Sequence, residues 1–260
     1  MRLIQITDCH LGLQPGETLL GLNTDESLED VLQLIQQAEP AFEHLVCTGD
    51  VAGDGHGDSY QRFIQTLRRY FSQSVSWLAG NHDSADVMAS YEQALGVQGR
   101  MVDLGKWLMV LLDSSVPGQV YGQLGASELD YLEHVLDHHP DKFIIIALHH
   151  QVVPVGSLWL DQYVVRNADA LFKLIENRPQ VKMIIWGHVH QEFSSRRNHI
   201  PLYATPSTCV QFKPLCDDFT VDTQMPGYRW FELNDDGTFA TGVVRVTNKQ
   251  YAIDYKSEGY

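Results

Sequence analysis

The residues of this chain that could do chemistry fall in five short clusters: Asp8-Cys9-His10, Gly49-Asp50, Gly80-Asn81-His82-Asp83, His149-His150 and Gly187-His188-Val189-His190. Six of the twelve histidines lie in them. Taken singly each cluster is weak, because Asp-x-His and Gly-Asp are most often turns and an isolated His-His is more often surface than ligand. Gly-His-Val-His says more, since both imidazoles follow an apolar run and must find partners if buried. Together the clusters offer Asp, His and Asn without a thiolate. That donor set suits Mn, Fe, Zn or a similar first-row ion rather than a structural cysteine-bound zinc. Two such ions ~3.5–4 Å apart can generate a hydroxide at neutral pH and hold both oxygens of an in-line phosphoryl displacement. One carboxylate must then bridge the pair, and open positions must remain for water and substrate.

Such clusters act together only if the fold gathers them, and each follows a strand-like run. Residues 2–7, 44–48, 75–79, 143–148 and 181–186 read as strands, the last two almost wholly apolar, as suits strands buried on both faces. Residues 25–39 show a helical period at Leu28, Val31, Leu32 and Ile35, and 58–71 and 127–138 also read as helices. A hairpin-like stretch covers 101–113. Ligands in open α/β sheets bind at the carboxyl ends of strands, so five parallel neighbours would bring all five clusters to one rim. Cys9 is expected on the first strand, its thiol turned away from Asp8 and His10 by the alternation of side chains. The other histidines, His44, His56, His134, His138, His139 and His199, lack this placement, although His56 sits in a Gly-rich loop after Asp50. From residue 193 onward, short alternating segments at 228–233 and 239–246 and the turn pair Asp236-Gly237 predict antiparallel strands. No repeat, low-complexity segment or linker appears, so a single α/β domain over 1–260 is expected.

Composition narrows the partners. Thirty-three acidic against 18 basic residues give a formal charge of -15. Nucleic-acid affinity comes largely from Lys and Arg on phosphates, so this balance argues against duplex DNA or RNA. Screening beyond ~8 Å still lets a small anion reach a positive site. Cys9, Cys47, Cys209 and Cys216 show no CxxC spacing, which fits a reducing compartment. The first residues already read as a strand, with no signal peptide and no apolar run of membrane length, so the expectation is a cytoplasmic protein without a membrane partner.

The ordered set Asp8-x-His10, Gly49-Asp50, Gly80-Asn81-His82-Asp83, His149 and Gly187-His188-x-His190 resembles the calcineurin-like metallophosphoesterase superfamily. Within it, Leu19-Leu20-Gly21-Leu22-Asn23-Thr24, Ser157-Leu158-Trp159-Leu160-Asp161-Gln162, the segment 204–214 and the ending Ser257-Glu258-Gly259-Tyr260 look like the bacterial class III cyclic-AMP phosphodiesterases. The likeness therefore spans the chain. It implies a four-layer α-β-β-α sandwich of two mixed sheets flanked by helices, where periodicity alone leaves a layered α/β domain with a β-rich tail. It also implies ligands: Asp8, His10 and His190 for one metal, Asn81, His149 and His188 for the other, and Asp50 as the bridge. Iron or manganese is the expected pair, with zinc, cobalt or magnesium as alternatives. His82 takes the place of the family's general acid with Asp83 orienting it, and His150 falls beside the metals. His10, Asp50, Asn81, His82 and His190 would surround the phosphoryl group, with His150 and Asn23 also on the substrate side. In comparable chains a Pro-containing turn follows the two histidines, whereas here Gln151-Val152-Val153 precedes Pro154.

The reaction this implies is in-line attack by a two-metal-activated hydroxide on 3',5'-cyclic AMP, with His82 protonating the 3'-oxygen to give 5'-AMP. Asp8 and Asp50 leave a net positive charge on two divalent ions, which suits a singly charged cyclic diester. Two alternatives stay open. One is a broader phosphodiesterase, phosphomonoesterase or nuclease of the same superfamily, and the other a metal-free binding scaffold. The scaffold reading expects lost ligands, and none is lost.

Overall fold

A computed structural model describes residues 1–259. Tyr260, part of the family-like ending, lies outside the described residues. The first half runs β1 (Arg2–Ile6), β2 (Thr18–Leu19), β3 (Leu22–Asn23), α1 (Thr24–Ala38), β4 (His44–Cys47), α2 (Gly57–Tyr70), β5 (Ser74–Trp77), α3 (Ala85–Leu95) and β6 (Val97–Gln98). It continues through β7 (Met101–Leu104), β8 (Trp107–Leu111), α4 (Ala126–His138), β9 (Phe143–Ala147), α5 (Leu158–Asp161), α6 (Ala168–Ile175) and β10 (Val181–Trp186). The tail adds β11 (Phe193–Arg197), β12 (Ile200–Ala204), β13 (Gly227–Leu233) and β14 (Phe239–Arg245).

These strands form two six-stranded mixed sheets, in the orders β14-β13-β1-β4-β5-β6 and β11-β12-β10-β9-β8-β7, plus the small ribbon β2-β3. Side-chain alternation explains the layering. On β9, Ile144 and Ile146 pack with Leu132 and Leu136 of α4 and with Leu171 and Ile175 of α6. The intervening Ile145 and Ala147 turn inward to meet Leu3, Val46 and Phe231 of the first sheet. The outer face of that sheet, Ile4, Ile6, Leu45 and Cys47, is covered by Leu28, Val31 and Leu32 of α1 and by Phe63 and Leu67 of α2. Helices, sheet, sheet, helices: the chain is the four-layer sandwich.

Helix α1 starts where it does because the Asn23 side chain accepts from Glu26 N at 3.1 Å, with Asp25 and Glu26 placed to complement the helix dipole. The expected hairpin is β7–β8, with Leu104 opposite Trp107 across the turn at Gly105, whose φ is 74°.

One condition is not met and one expectation needs correction. The ligand-bearing strands do not share one sheet: β1, β4 and β5 are parallel neighbours in the first, β9 and β10 in the second. The tail is also not one antiparallel unit. β13 and β14 extend the first sheet, while β12 pairs in parallel with β10 in the second, Ile184 opposite Leu202. Alternation identifies a strand and its buried face but not its partner. Helices α3, α5 and α6 lie outside the predicted helical stretches, and no described helix is long and apolar enough to cross a membrane.

Candidate metal centre

Nine described non-glycine residues have positive φ, and five of them are candidate ligands: Asp8, His10, Asp50, His188 and His190, at 46–61°. Left-handed backbone costs ordinary residues on the order of 1–3 kcal/mol each and persists only where surrounding contacts hold it. Those contacts are visible. Asp8 N donates to Gly49 O and His10 N to Asp50 O, both at 2.9 Å, so the loops after β1 and β4 stay laced beyond the strands. His188 N donates to Asp8 Oδ1 at 3.0 Å, tying the loop after β10 to the loop after β1. Glycine is required at position 80, where an added Cβ would overlap Asp50 Oδ1.

This local geometry corrects the placement of Cys9. β1 ends at Ile6, so Cys9 lies on a left-handed loop rather than on a strand. Its thiol still faces the buried layer between the first sheet and its helices, apart from the ligands.

The loops converge their donor atoms. His149 Nε2 lies 3.2 Å from Asp50 Oδ2, 3.2 Å from Asn81 Oδ1 and 3.3 Å from His188 Nδ1. His10 Nε2 lies 3.2 Å from His190 Nε2 and 3.6 Å from Asp50 Oδ2, and His190 Nε2 lies 3.4 Å from Asp8 Oδ1. Asp50 Oδ2 thus faces both groups, while Oδ1 accepts from His82 N at 2.9 Å. Backbone carbonyls set the rings: His149 Nδ1 bonds Thr48 O and His190 Nδ1 bonds Val210 O, each at 2.8 Å. A neutral ring held through Nδ1–H presents Nε2 as a ligand, the arrangement usual for metal-bound histidine. Packed nitrogens and carboxylate oxygens with this spacing and burial fit a pair of cations.

Electrostatics agree with that fit. Burial alone would lower the His149 pKa, but the charge and hydrogen bond of Asp50, with the Asp8 charge and the Thr48 carbonyl, together outweigh it and lift it to about 9. His190 is raised in the same way by Asp8 against burial. Asp50 is held well below the ordinary carboxylate range, His149 and His10 outweighing its desolvation. His10 falls to about 3, chiefly through burial. Asp50 and Asp8 draw positive charge onto the imidazoles they bond, His149 and His190, whereas burial prevails at His10.

Not every expected residue lands as anticipated. His82 lines a cleft of about 320 Å³ with His10, but its Nδ1 is paired with Gly53 O at 3.2 Å, not with Asp83. Asp83 instead accepts from Val51 N, Ala52 N and Gly80 N at 3.0–3.1 Å, clamping the Asp50 and Asn81 loops together. Burial and the Asp50 charge raise its pKa to about 6. His150 is fully buried, with Nδ1 on Ser114 Oγ at 2.8 Å and Nε2 on Val120 O at 3.1 Å, which leaves neither nitrogen for substrate. Asn23 spends its side-chain oxygen on the α1 cap. Trp159 packs against Phe212, and Phe212 stacks on His190 at 4.2 Å, so Trp159 backs a ligand from behind. Asp161 accepts from Val155 N and Gly156 N, bracing the turn that follows the two histidines. In that turn Gln151 is buried and donates to Leu160 O at 2.7 Å. Sequence reasoning missed Glu17, Gly53 and Asp54, which line the His82 cleft and carry no metal-like spacing that would have marked them. His44 takes no part in the cluster, and His56 lies at the outer edge of the cleft. His44 is bracketed by Ser74 and Ser76, and His56 is exposed beside Asp54.

A family model described as calcineurin-like phosphoesterase matches residues 1–192, a span that contains every candidate ligand. The chain belongs to the calcineurin-like phosphoesterase family. It is 42% identical over 258 residues to the 3',5'-cyclic adenosine monophosphate phosphodiesterase CpdA of Pseudomonas aeruginosa, covering 99% of this chain and 94% of that protein. It is also 42% identical over 262 residues to the protein of the same name in Escherichia coli K12, covering all of this chain and 95% of that one. Among solved structures, the purple acid phosphatase PPD1 from yellow lupin seeds aligns with a TM-score of 0.71 at 13% identity, covering 97% of this chain and 52% of that one. That likeness supports the phosphoesterase sandwich and nothing finer.

Proposed function

We propose that this chain hydrolyses 3',5'-cyclic AMP to 5'-AMP at a two-metal centre in the seam between its sheets. The observation that carries the reading is 42% identity over the length of the chain to cyclic-AMP phosphodiesterases, in a chain whose buried Asp and His donors and half-buried Asn81 converge as two groups sharing Asp50. Asp8, His10 and His190 would hold one ion and Asn81, His149 and His188 the other, with Asp50 shared between them. Such a pair supplies, when bound, an activated water nucleophile and neutralising charge for the phosphoryl oxygens.

The chain's own groups do the rest. His10, Asn81 and His190 fix where the phosphoryl group sits by fixing the ions. Asp50, anchored by His82 N on Oδ1, would keep its Oδ2 fixed toward both groups of donors. His82, its Nδ1–H held by Gly53 O, carries its transferable proton on Nε2 and delivers it to the departing 3'-oxygen. Glu17 and Asp54 on the cleft wall face the nucleoside end, where acceptors suit hydroxyl and amino donors and keep the phosphate at the metals. The test is a substrate panel with metal-reconstituted protein: cyclic AMP, a cyclic pyrimidine nucleotide, bis(p-nitrophenyl) phosphate and a phosphomonoester. Conversion of cyclic AMP to 5'-AMP ahead of the aryl diester is expected. Cleavage of the aryl diester with cyclic AMP untouched would replace this reading with a broader phosphodiesterase.

A further inference from the structure

The two-metal reading has a mechanical requirement: ligands from separate sheets stay matched only if the sheets stay in register. One side chain spans the seam directly beneath them. Gln5, on β1 three residues before Asp8, is fully buried. Its Nε2 donates to Thr48 Oγ1 at 2.8 Å in its own sheet and to Trp186 O at 3.0 Å at the end of β10 in the other. Its Oε1 accepts from Thr205 Oγ1 at 2.6 Å, just beyond β12. Each of two partners leads to a ligand. Thr48 O holds His149 Nδ1, and Trp186 stands two residues before His188.

The position does not need a polar group for packing. Leu3, the preceding inward residue of β1, is apolar and meets the opposite sheet directly. A buried carboxamide is tolerated only when it is paired, whereas an aliphatic side chain of similar size needs no partner. Gln5 has its partners on both sheets, and their geometry gives it a task that an apolar residue could not perform.

We infer that Gln5 is a positioning residue that locks the two sheets in register beneath the centre, acting through Thr48 on His149 and through Trp186 on His188. The effect is selective. Asp8 and His190 have independent supports, Asp8 in the bond from Ser207 Oγ to its carbonyl, His190 in the Val210 carbonyl. Arg229, opposite Gln5 on β13, also crosses the seam to Ala204 O at 3.0 Å, so the sheets stay docked without Gln5. The inference rests on the proposed two-metal function.

The test uses Gln5→Met, which keeps length and removes all three bonds, and Thr205→Val, which removes one donor and keeps shape. Full-length parent and variants are titrated with Mn(II) alone, and binding isotherms are read beside electron paramagnetic resonance spectra. The parent is expected to take two ions and show an exchange-coupled pair. Both variants should hold one ion as the parent does and bind the second about 10- to 100-fold more weakly, the usual effect of removing support behind a ligand. Their coupled signal should be reduced at stoichiometric Mn(II), most in Gln5→Met and less in Thr205→Val. A purely structural Gln5 would lower the melting temperature of the metal-free protein and leave the ratio of the two affinities unchanged, and that result overturns the inference. If Gln5→Met does not fold, Thr205→Val decides alone, and parental binding and spectrum in it refute the lock. A parent that binds fewer than two ions sinks the two-metal reading itself, and this inference with it.

Discussion

The first sheet brings Asp8, Asp50 and Asn81 to the seam together with His10 and His82, whereas the second brings imidazoles alone, His149, His188 and His190. The strands behind them differ in the same sense. The first sheet carries buried polar side chains at Gln5, His44 and Ser76, while the inward and outward faces of β9 and β10 are nearly all apolar. Neither half is a satisfactory site alone. Two buried carboxylates without counter-charge pay a large desolvation penalty, and buried imidazoles without anions are held neutral, as His188 is, its pKa pushed well below the ordinary value first by burial. Brought together, Asp50 faces His149 at 3.2 Å and Asp8 faces His190 at 3.4 Å, and each anion meets a group able to share a cation with it. The difference teaches that the centre belongs to the interface between sheets rather than to either rim.

The sharpest way to break this comparison is to remove the one group common to both halves. Asp50→Ala is expected to reduce bound metal toward one ion or none, with cyclic-AMP turnover at background. Metal analysis of the purified variant checks it, and two ions retained would show that the bridge is wrongly placed.

Next is His82, which belongs to the first half but is assigned to proton transfer rather than to metal. His82→Ala should keep both ions and slow cyclic-AMP hydrolysis about 10²–10⁴-fold. Bis(p-nitrophenyl) phosphate should be affected much less, because p-nitrophenolate leaves without a proton. Equal losses on the two substrates would assign His82 to holding the phosphoryl group instead.

Asp83 sharpens the comparison within the first half. Its carboxylate serves three backbone N–H groups, and hydrogen bonds to a charged group contribute roughly 1.5–3 kcal/mol each when buried. Asp83→Ala should therefore cost on the order of 5 kcal/mol of stability, the low end of that sum, measured by denaturant unfolding with chelator present. A loss of rate with stability intact would restore the view that Asp83 acts by orienting His82.

The polar interior of the first sheet should also make it the acid-sensitive one. Burial holds His44 neutral, its pKa lowered from 6.5 to about 4, between Ser74 Oγ at 2.6 Å and Ser76 Oγ at 2.8 Å. The unfolded chain takes up the proton first. This contribution is therefore intact above pH 6.5, declines as pH falls, and levels off near pH 4 with about 3 kcal/mol lost. His44→Gln should flatten unfolding free energy across that window, and an unchanged slope would exclude His44 as its source. The smallest effect is expected at Cys9, buried between ligands but facing the helices. Cys9→Ser should retain both ions and most of the activity at a stability cost of about 1 kcal/mol. Loss of an ion from it would bring Cys9 into the centre.

Much of this was legible in the sequence. The strands before each cluster, the helical faces of α1, α2 and α4, and the residue types that make a first-row metal site are local properties, written in side-chain period and donor chemistry. The family-like motifs extended that to the four-layer sandwich and to an assignment of ligands. Which strands sit together was not legible. Alternation in 200–204 marks a strand but cannot say that it lies parallel to β10, because pairing depends on what the rest of the chain leaves uncovered. The partners of His82, Asp83 and His150 were equally out of reach. The choice between the Gly53 carbonyl and the Asp83 carboxylate turns on a left-handed loop whose conformation is held by bonds to another strand's loop. Residues that work by position, Gln5 above all, look in sequence like an ordinary polar residue in an apolar run. Chemistry resides in residue types that a sequence displays directly; register between two sheets exists only once both are folded, and the tertiary structure alone decided it.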